Sequence, residues 1–404
     1  MNVHIEKSKA KGAVTAPPSK SMAHRLLICA GLSKEKSIIH GIQKSKDVEA
    51  TIDCLSSLGV KCDIKDDTAY IEGIDILNAS PKNSLSCRES GSTLRFFIPI
   101  ALLTGRSVLF TGSETLLKRP LSIYEDICKE DGFSYIKTAN SLMVKGNLKA
   151  KNYRIPGNIS SQFISGLLFA LPLLREESRI QIVPPIESRS YIDLTIDSLK
   201  TFGVDVSWQD ENTIYIKGNQ EYLGREVTVE GDYSNAAFFY ALNALGGDVK
   251  IEGLNENSLQ GDKACEKHIN SLLMGMPTVH ISDCPDLGPV LFGISAAKFG
   301  GVFTGTRRLR IKESDRASAM AEELRKFGTD VKVYDDEVTI FPKEFKKPVE
   351  ILDGHNDHRI VMTMAVLLTL TGGDIKGAEA VSKSYPDFFE KLKNLGVEVR
   401  EYEA

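Results

Sequence analysis

The stretch 307–316 reads R-R-L-R-I-K-E-S-D-R and packs five cations and two carboxylates into ten residues. A helical pattern follows it, with Ser314 at the N-cap position, Arg316–Lys326 as the helix and Gly328 as its stop. A helix N-terminus beside Lys312 and Arg316 suits an anion, because its unpaired N–H groups and the helix dipole both favour negative charge. Glu313 sits inside this positive cluster. Taken alone, such a run is more at home on a solvated salt-bridge face than in a binding site.

The rest of the chain changes that weighting. Six loops rich in Ser, Asn, Asp, Gly or Pro each open onto an apolar helix: P-P-S-K-S-M-A-H-R from Pro17, R-E-S-G-S-T-L-R from Arg88, P-G-N-I-S-S-Q from Pro156, E-G-D-Y-S-N from Glu230, D-C-P-D-L-G-P from Asp283 and G-H-N-D-H-R from Gly354. Capping accounts for the small polar residues. It does not account for Lys20, Arg25, Arg95 and Arg359 at the first helical turn, where the dipole disfavours cations unless an anion is bound. Seven cations are well placed: Lys20, Arg25, Arg119, Lys312, Arg316, Arg359 and Lys383. In a chain of net charge -4 they point to small, multiply charged anions such as phosphate plus carboxylate. Lys20-Ser21 follows two prolines rather than a glycine-rich run, so this is no nucleotide P-loop, and no G-x-G-x-x-G follows a strand. His355 and His358 lack a third ligand at metal spacing, and capping and substrate contact are expected of them instead.

The elements that position these loops repeat. A helix, a glycine and a two-stranded hairpin recur at Gly59, Gly132, Gly203, Gly275, Gly328 and Gly396. Each copy begins with a short strand and a helix that is apolar nearly all round, at 26–30, 94–103, 163–174, 236–245, 290–297 and 360–370. Helices of this kind must be buried on every side. The expected fold class is α/β (α+β), in two domains of three β-α-β-α-β-β repeats each with buried helices: residues 13–226, and residues 1–12 plus 227–404. The strand at 3–6 has no repeat of its own, and the sixth repeat needs it as a partner. Equivalent loops from the two domains are expected to face one another across a cleft, with the two chain crossings as a hinge.

Composition narrows the function. Apolar residues make up 42% and charged residues 26%, as in a soluble globular protein, and the net charge argues against a nucleic-acid binder. Seven scattered cysteines without C-x-x-C spacing read as reduced thiols. The first twelve residues hold no apolar signal segment and no apolar run is long enough to span a bilayer, so a cytoplasmic protein that engages no membrane is expected, with a monomer as the default.

Nine motifs, in order, then carry a resemblance: P-x-S-K-S-x-x-x-R at 17–25, G-S-T-x-R at 91–95, R-P at 119–120, S-S-Q at 160–162, S-x-x-Y-I-D at 188–193, D-C-P-D at 283–286, R-I-K-E-S-D-R at 310–316, N-D-H-R at 356–359 and K-S-Y-P-D at 383–387. Together they resemble the enolpyruvyl transferases, specifically the branch acting on shikimate 3-phosphate, over essentially the whole chain. The resemblance implies joining of phosphoenolpyruvate to the 5-hydroxyl of shikimate 3-phosphate with release of phosphate, and no metal or organic cofactor. It implies that Lys20, Ser21, Arg25, Ser160, Ser161, Gln162, Ser188, Tyr191, Asp286 and Lys312 hold shikimate 3-phosphate. Lys20, Gly91, Arg119, Gln162, Arg316, Arg359 and Lys383 would hold phosphoenolpyruvate. Asp286 would take the hydroxyl proton, Glu313 would protonate the methylene carbon, and Lys20 would share the proton transfers.

The residue types fit these roles: hydroxyls and an amide suit a polyol phosphate, and Arg forks suit carboxylate and phosphate. The chain departs from the commoner family pattern at Glu89 and Arg308, both usually Asn. Gly91, retained, implies sensitivity to glyphosate. The sister enzyme acting on UDP-N-acetylglucosamine is the nearest alternative; its characteristic Cys would stand where this chain has Glu114.

Overall fold

Helices without a polar face need complete cover, and the fold supplies it by surrounding six of them with short sheets and amphipathic helices. The computed structural model describes residues 1–81 and 84–403; Ala404, at the end of the expected second domain, lies outside them. The buried helices are Lys20–Leu32, Gly91–Leu102, Ser161–Ala170, Tyr233–Ala244, Gly288–Ala297 and His358–Thr371. The first three belong to one compact unit, Pro18–Glu230, and the last three to another, Met1–Pro17 with Gly231–Ala404. Each unit has its own apolar core, with edge-on aromatic pairs such as Phe96–Phe169 in one and Phe292–Phe303 in the other.

A complete repeat forms a four-stranded sheet. In the third, Asn152–Pro156 runs parallel to Ser178–Val183, and Thr213–Ile216 lies antiparallel between Ser178–Val183 and Val206–Trp208. The second and fifth repeats have the same order. The sixth repeat completes its sheet with Asn2–Ile5, which lies between Gly373–Lys376 and Val399–Tyr402 and pairs with both. The N-terminal strand thus finds the partner that the sequence demanded of it.

Two first strands are exchanged. Lys11–Thr15, which leads into the first buried helix, pairs in parallel with Asp248–Glu252 of the fourth repeat. Glu226–Thr228, which leads toward the fourth buried helix, pairs instead with Lys36–His40 of the first repeat. The units therefore part at 17/18 and 230/231, four to five residues beyond the expected 12/13 and 226/227. The fourth repeat also departs from the pattern: among the described residues no hairpin follows Gly275. Thr278–His280 is instead the first strand of the fifth sheet, and the loop from Asp283 follows it too closely for a return strand. The glycine markers were real turns nonetheless, since all six have positive φ, where a β-carbon would be strained.

Local capping starts five of the six buried helices. Ser19, Ser90, Ser160, Asp232 and Asp357 each accept a backbone N–H of the first turn. No helix of the described residues is long and apolar enough to cross a membrane. Ile5 is fully buried in the strand that closes the sixth sheet. Ile5→Ala is expected to lower stability by about 2–5 kcal/mol, read from urea unfolding of the whole chain.

Candidate functional site

Arg316 opens the helix Arg316–Lys326 and is only 1% exposed. A buried guanidinium must have its charge met, and three carboxylates meet it. Its Nε donates to Asp357 Oδ2 at 2.8 Å, Nη1 to Asp286 Oδ1 at 2.7 Å and Nη2 to Glu313 Oε2 at 2.6 Å. These carboxylates come from a 3-10 turn (Pro285–Leu287), the linker before the helix, and the N-cap of His358–Thr371. Burial works against the charge on Arg316, but Asp357, Glu313 and Asp286 outweigh it and fix the cation firmly.

Asp286 is shared. Lys312 Nζ lies 3.1 Å from its Oδ1, and Arg359 Nη2 lies 3.7 Å from Oδ2. Burial raises its carboxyl pKa, but Lys312, Arg316 and Arg359 together hold it well below the usual range. Burial also lowers Lys312, with Asp286 opposing. Arg359 is turned by Ser234 Oγ at 2.5 Å and Asn235 Oδ1 at 3.4 Å, both at the start of Tyr233–Ala244. Lys383, buried at the end of the turn Ala378–Lys383, donates to the Asn356 carbonyl at 2.7 Å. Asp286, Lys312, Glu313, Arg316 and Arg359 form one ionic cluster in this unit, joined to Lys383 through the loop before Asp357.

A second set belongs to the other unit. Lys20, first residue of its helix, pairs with Asp47 at 2.8 Å. Arg25 and Arg95 sit a turn deeper than expected. Arg25 is buried, and its hydrogen bonds end on neutral oxygens: Thr195 Oγ1 at 2.8 Å, the Ser21 carbonyl at 2.7 Å and the Tyr191 carbonyl at 2.9 Å. Burial pushes its pKa down to about 10. Gln162 is oriented at both ends, its Oε1 accepting from Arg95 at 2.6 Å and its Nε2 donating to Ser92 at 2.9 Å. Since Arg can only donate, the amide orientation is fixed. Ser160 caps Ser161–Ala170, and Ser188 precedes Arg189–Thr201 in a left-handed conformation at φ 55. Gly91 is where Arg119 passes: a β-carbon there would lie 2.8 Å from Arg119 Nη1. Arg119 ends a short helix, Glu114–Lys118, that the sequence pattern did not reveal.

Several expectations need correction. Ser314 is not the N-cap. Asp315 is, because its two oxygens take both the Ser318 N–H and the Ser318 hydroxyl, which leaves Ser314 to donate to Asp357 at 3.0 Å. The histidines part: His355 bonds Glu323, while His358 is buried in the first turn of its helix. Among the described residues one cluster, Glu322, Glu323 and His355, could offer three metal ligands, but the Lys326 ammonium already lies against both oxygens of Glu323. Arg307 and Arg310 pair with Asp335 at the surface. Asp357, Asp47, Asn235 and Thr195 are partners that the sequence does not reveal; Asp357 lies in N-D-H-R, but its pairing with Arg316 spans 41 residues and leaves no local signal.

The family profile described as EPSP synthase (3-phosphoshikimate 1-carboxyvinyltransferase) matches residues 5–276 and 266–392. A 3-phosphoshikimate 1-carboxyvinyltransferase of Clostridium perfringens is 42% identical, with 98% of each chain covered. That of Clostridium acetobutylicum is also 42% identical, covering 99% of this chain and 98% of its own. Among solved structures, an EPSP synthase from Acinetobacter baumannii superposes with a TM-score of 0.78 at 25% identity, covering 99% of this chain and 100% of its own. The enolpyruvyl transferase NikO from Streptomyces tendae, at 15% identity and a TM-score of 0.79 over 100% of this chain and 99% of its own, shares the fold.

Removing the charge at the centre of the first cluster leaves Asp286, Glu313 and Asp357 without their shared partner. Arg316→Met is expected to destabilise the protein by about 3–5 kcal/mol, measured by denaturant unfolding at neutral pH.

Proposed function

Because the chain belongs to the EPSP synthase family, we propose that it transfers the enolpyruvyl group of phosphoenolpyruvate to the 5-hydroxyl of shikimate 3-phosphate and releases phosphate, a step of the shikimate pathway. The observation that carries the mechanism is that Arg316 holds Asp286 and Glu313 on separate nitrogens. Two carboxylates kept apart on one rigid cation can serve two separate proton transfers.

In this reading the cations and polar groups of both units work on one substrate pair. Lys20, Arg119, Arg316, Arg359 and Lys383 bind the carboxylate and phosphate of phosphoenolpyruvate, with Gln162 and the Gly91 backbone beside them. Ser21, Arg25, Ser160, Ser161, Gln162, Ser188, Tyr191 and Lys312 bind shikimate 3-phosphate, which Lys20 also reaches. Arg25 supports this division, because its hydrogen bonds end on neutral oxygens and a phosphate would meet its buried charge.

The chemistry is addition then elimination. Asp286 takes the 5-hydroxyl proton as that oxygen bonds to C2 of phosphoenolpyruvate. Glu313, in its acid form, gives a proton to C3, and a tetrahedral intermediate results. Breaking the C2–O bond to phosphate releases the leaving group while Glu313 recovers a proton from the new methyl. Lys20 shares these transfers. The cations that depress Asp286 make it a weak base alone; bound substrate anions offset their field and raise the basicity of both carboxylates.

The reaction on UDP-N-acetylglucosamine is disfavoured. Where that enzyme carries Cys, Glu114 is exposed and bound to Lys118 at 2.7 Å. The reading includes a cytoplasmic monomer: seven free cysteines, six of them buried, suit a reducing compartment, and each unit buries its own core.

Phosphate release from phosphoenolpyruvate is expected with shikimate 3-phosphate and not with the UDP-sugar; the converse would overturn the assignment. Glu313→Gln is expected to lower kcat by roughly 10²–10⁴-fold, and near-normal turnover would remove Glu313 from the mechanism. Glyphosate is expected to inhibit in competition with phosphoenolpyruvate. Gly91→Ala, whose added carbon meets Arg119 at 2.8 Å, should raise both the inhibitory concentration and the KM for phosphoenolpyruvate.

A further inference from the structure

Two turns along the helix that begins at Arg316 lies Glu323, a carboxylate with no solvent exposure. Seven residues apart, the two side chains share one helix face. Each grips the same loop. Arg316 holds Asp357 at the loop's far end. Glu323 holds its near end, accepting the Asp353 N–H at 2.9 Å and pairing with His355 Nε2 at 2.9 Å. Lys326 Nζ balances Glu323 at 2.9 and 3.0 Å.

Between these two grips the backbone is unusual. His355 and Asn356 both occupy the left-handed region, at φ 47 and 51, a conformation that costs on the order of 1 kcal/mol or more at each non-glycine residue. The Asp353 carboxylate steadies the turn by accepting the His355 N–H at 2.8 Å. The turn aims the Asn356 carbonyl at Lys383 Nζ, 2.7 Å away, and sets Asp357 against Arg316 and the Arg359 N–H. Three cations assigned to phosphoenolpyruvate are thus located by one strained turn.

We propose that His355, acting through Glu323, is a positioning residue of the phosphoenolpyruvate half-site: it fixes the turn that aims Lys383, Arg316 and Arg359. The proposal rests on the functional reading above. His355 touches no substrate in this scheme. Its side chain is 22% exposed, so it exchanges protons with solvent.

The charged groups facing it are Glu322, Glu323 and Lys326 from the helix, Asp353 from its own loop and Lys376 from the strand Gly373–Lys376, which pairs with Asp353. The carboxylates prevail. The Glu323 hydrogen bond raises the His355 pKa above its ordinary value, against the opposing effect of burial. A raised pKa means that the tie is strongest with His355 charged. Its contribution is complete below the ordinary histidine value of about 6.5 and fades as pH rises through the higher folded value.

The test is steady-state kinetics of the whole enzyme from about pH 6 to 9, a range that brackets histidine titration, varying each substrate separately. In the wild type, the KM for phosphoenolpyruvate should rise with pH and that for shikimate 3-phosphate should not. His355→Ala should raise the phosphoenolpyruvate KM roughly three- to tenfold at the acid end, with kcat changed less. His355→Gln keeps a donor for Glu323 without the charge; it should restore most of the affinity and flatten its pH dependence. Glu323→Gln serves as a second variant should His355→Ala fail to fold. A His355→Gln profile superimposable on the wild type, or equal loss for both substrates, would overturn the proposal. A wild type inactive with this substrate pair would instead overturn the functional reading.

Discussion

A cation cannot be removed from water without compensation, and Arg316 shows how this chain supplies it. Asp286, Glu313 and Asp357 converge on it from three separated stretches of sequence, and Lys312 and Arg359 balance the carboxylates in turn. Three cations and three anions make a cluster close to neutral. The 3-10 turn at Asp286, the start of Arg316–Lys326 and the cap of His358–Thr371 must all arrive correctly for the charges to match. The fold of this unit is therefore a precondition of the cluster, and the cluster in turn locks three elements together.

The other unit handles charge differently. Arg25 is buried against two carbonyls and a hydroxyl, and Arg95 against an amide and a carbonyl. Neutral oxygens satisfy the geometry of a guanidinium but leave its field intact. One unit thus sets Arg316 among three carboxylates, while in the other Arg25 donates to neutral oxygens and Lys20 to the Asp47 carboxylate. This division of labour follows from the partners on each arginine, more than from the number of cations.

Sequence reasoning succeeded where the cause is local. Apolar helices, capping serines and the terminating glycines are written within a few residues of where they act, and the repeats follow from them. The pairing of Asn2–Ile5 with the sixth sheet was legible because a strand without a repeat and a repeat without a strand imply each other. Failures mark the places where tertiary partners decide. Whether Ser314 or Asp315 caps a helix depends on where Asp357 lies. The exchange of Lys11–Thr15 with Glu226–Thr228 has no local signature, since either strand reads equally well before its own helix. Arg307 and Arg310 pair with Asp335 at the surface, yet nothing in the run itself distinguishes them from Arg316.

The strand Asn2–Ile5 also bears on how the molecule comes into being. Asn2 pairs with Lys376 and Tyr402, so the start of this sequence waits for nearly its end. During synthesis the residues of Pro18–Glu230 all emerge before the sixth sheet exists. Closing so long a loop costs entropy that only the finished sheet repays. Until then Val3 and Ile5, both fully buried in the native fold, remain uncovered on the nascent chain. The sixth sheet thus closes last: synthesis halted before Val399–Tyr402 would leave Asn2–Ile5 without one of its two partner strands.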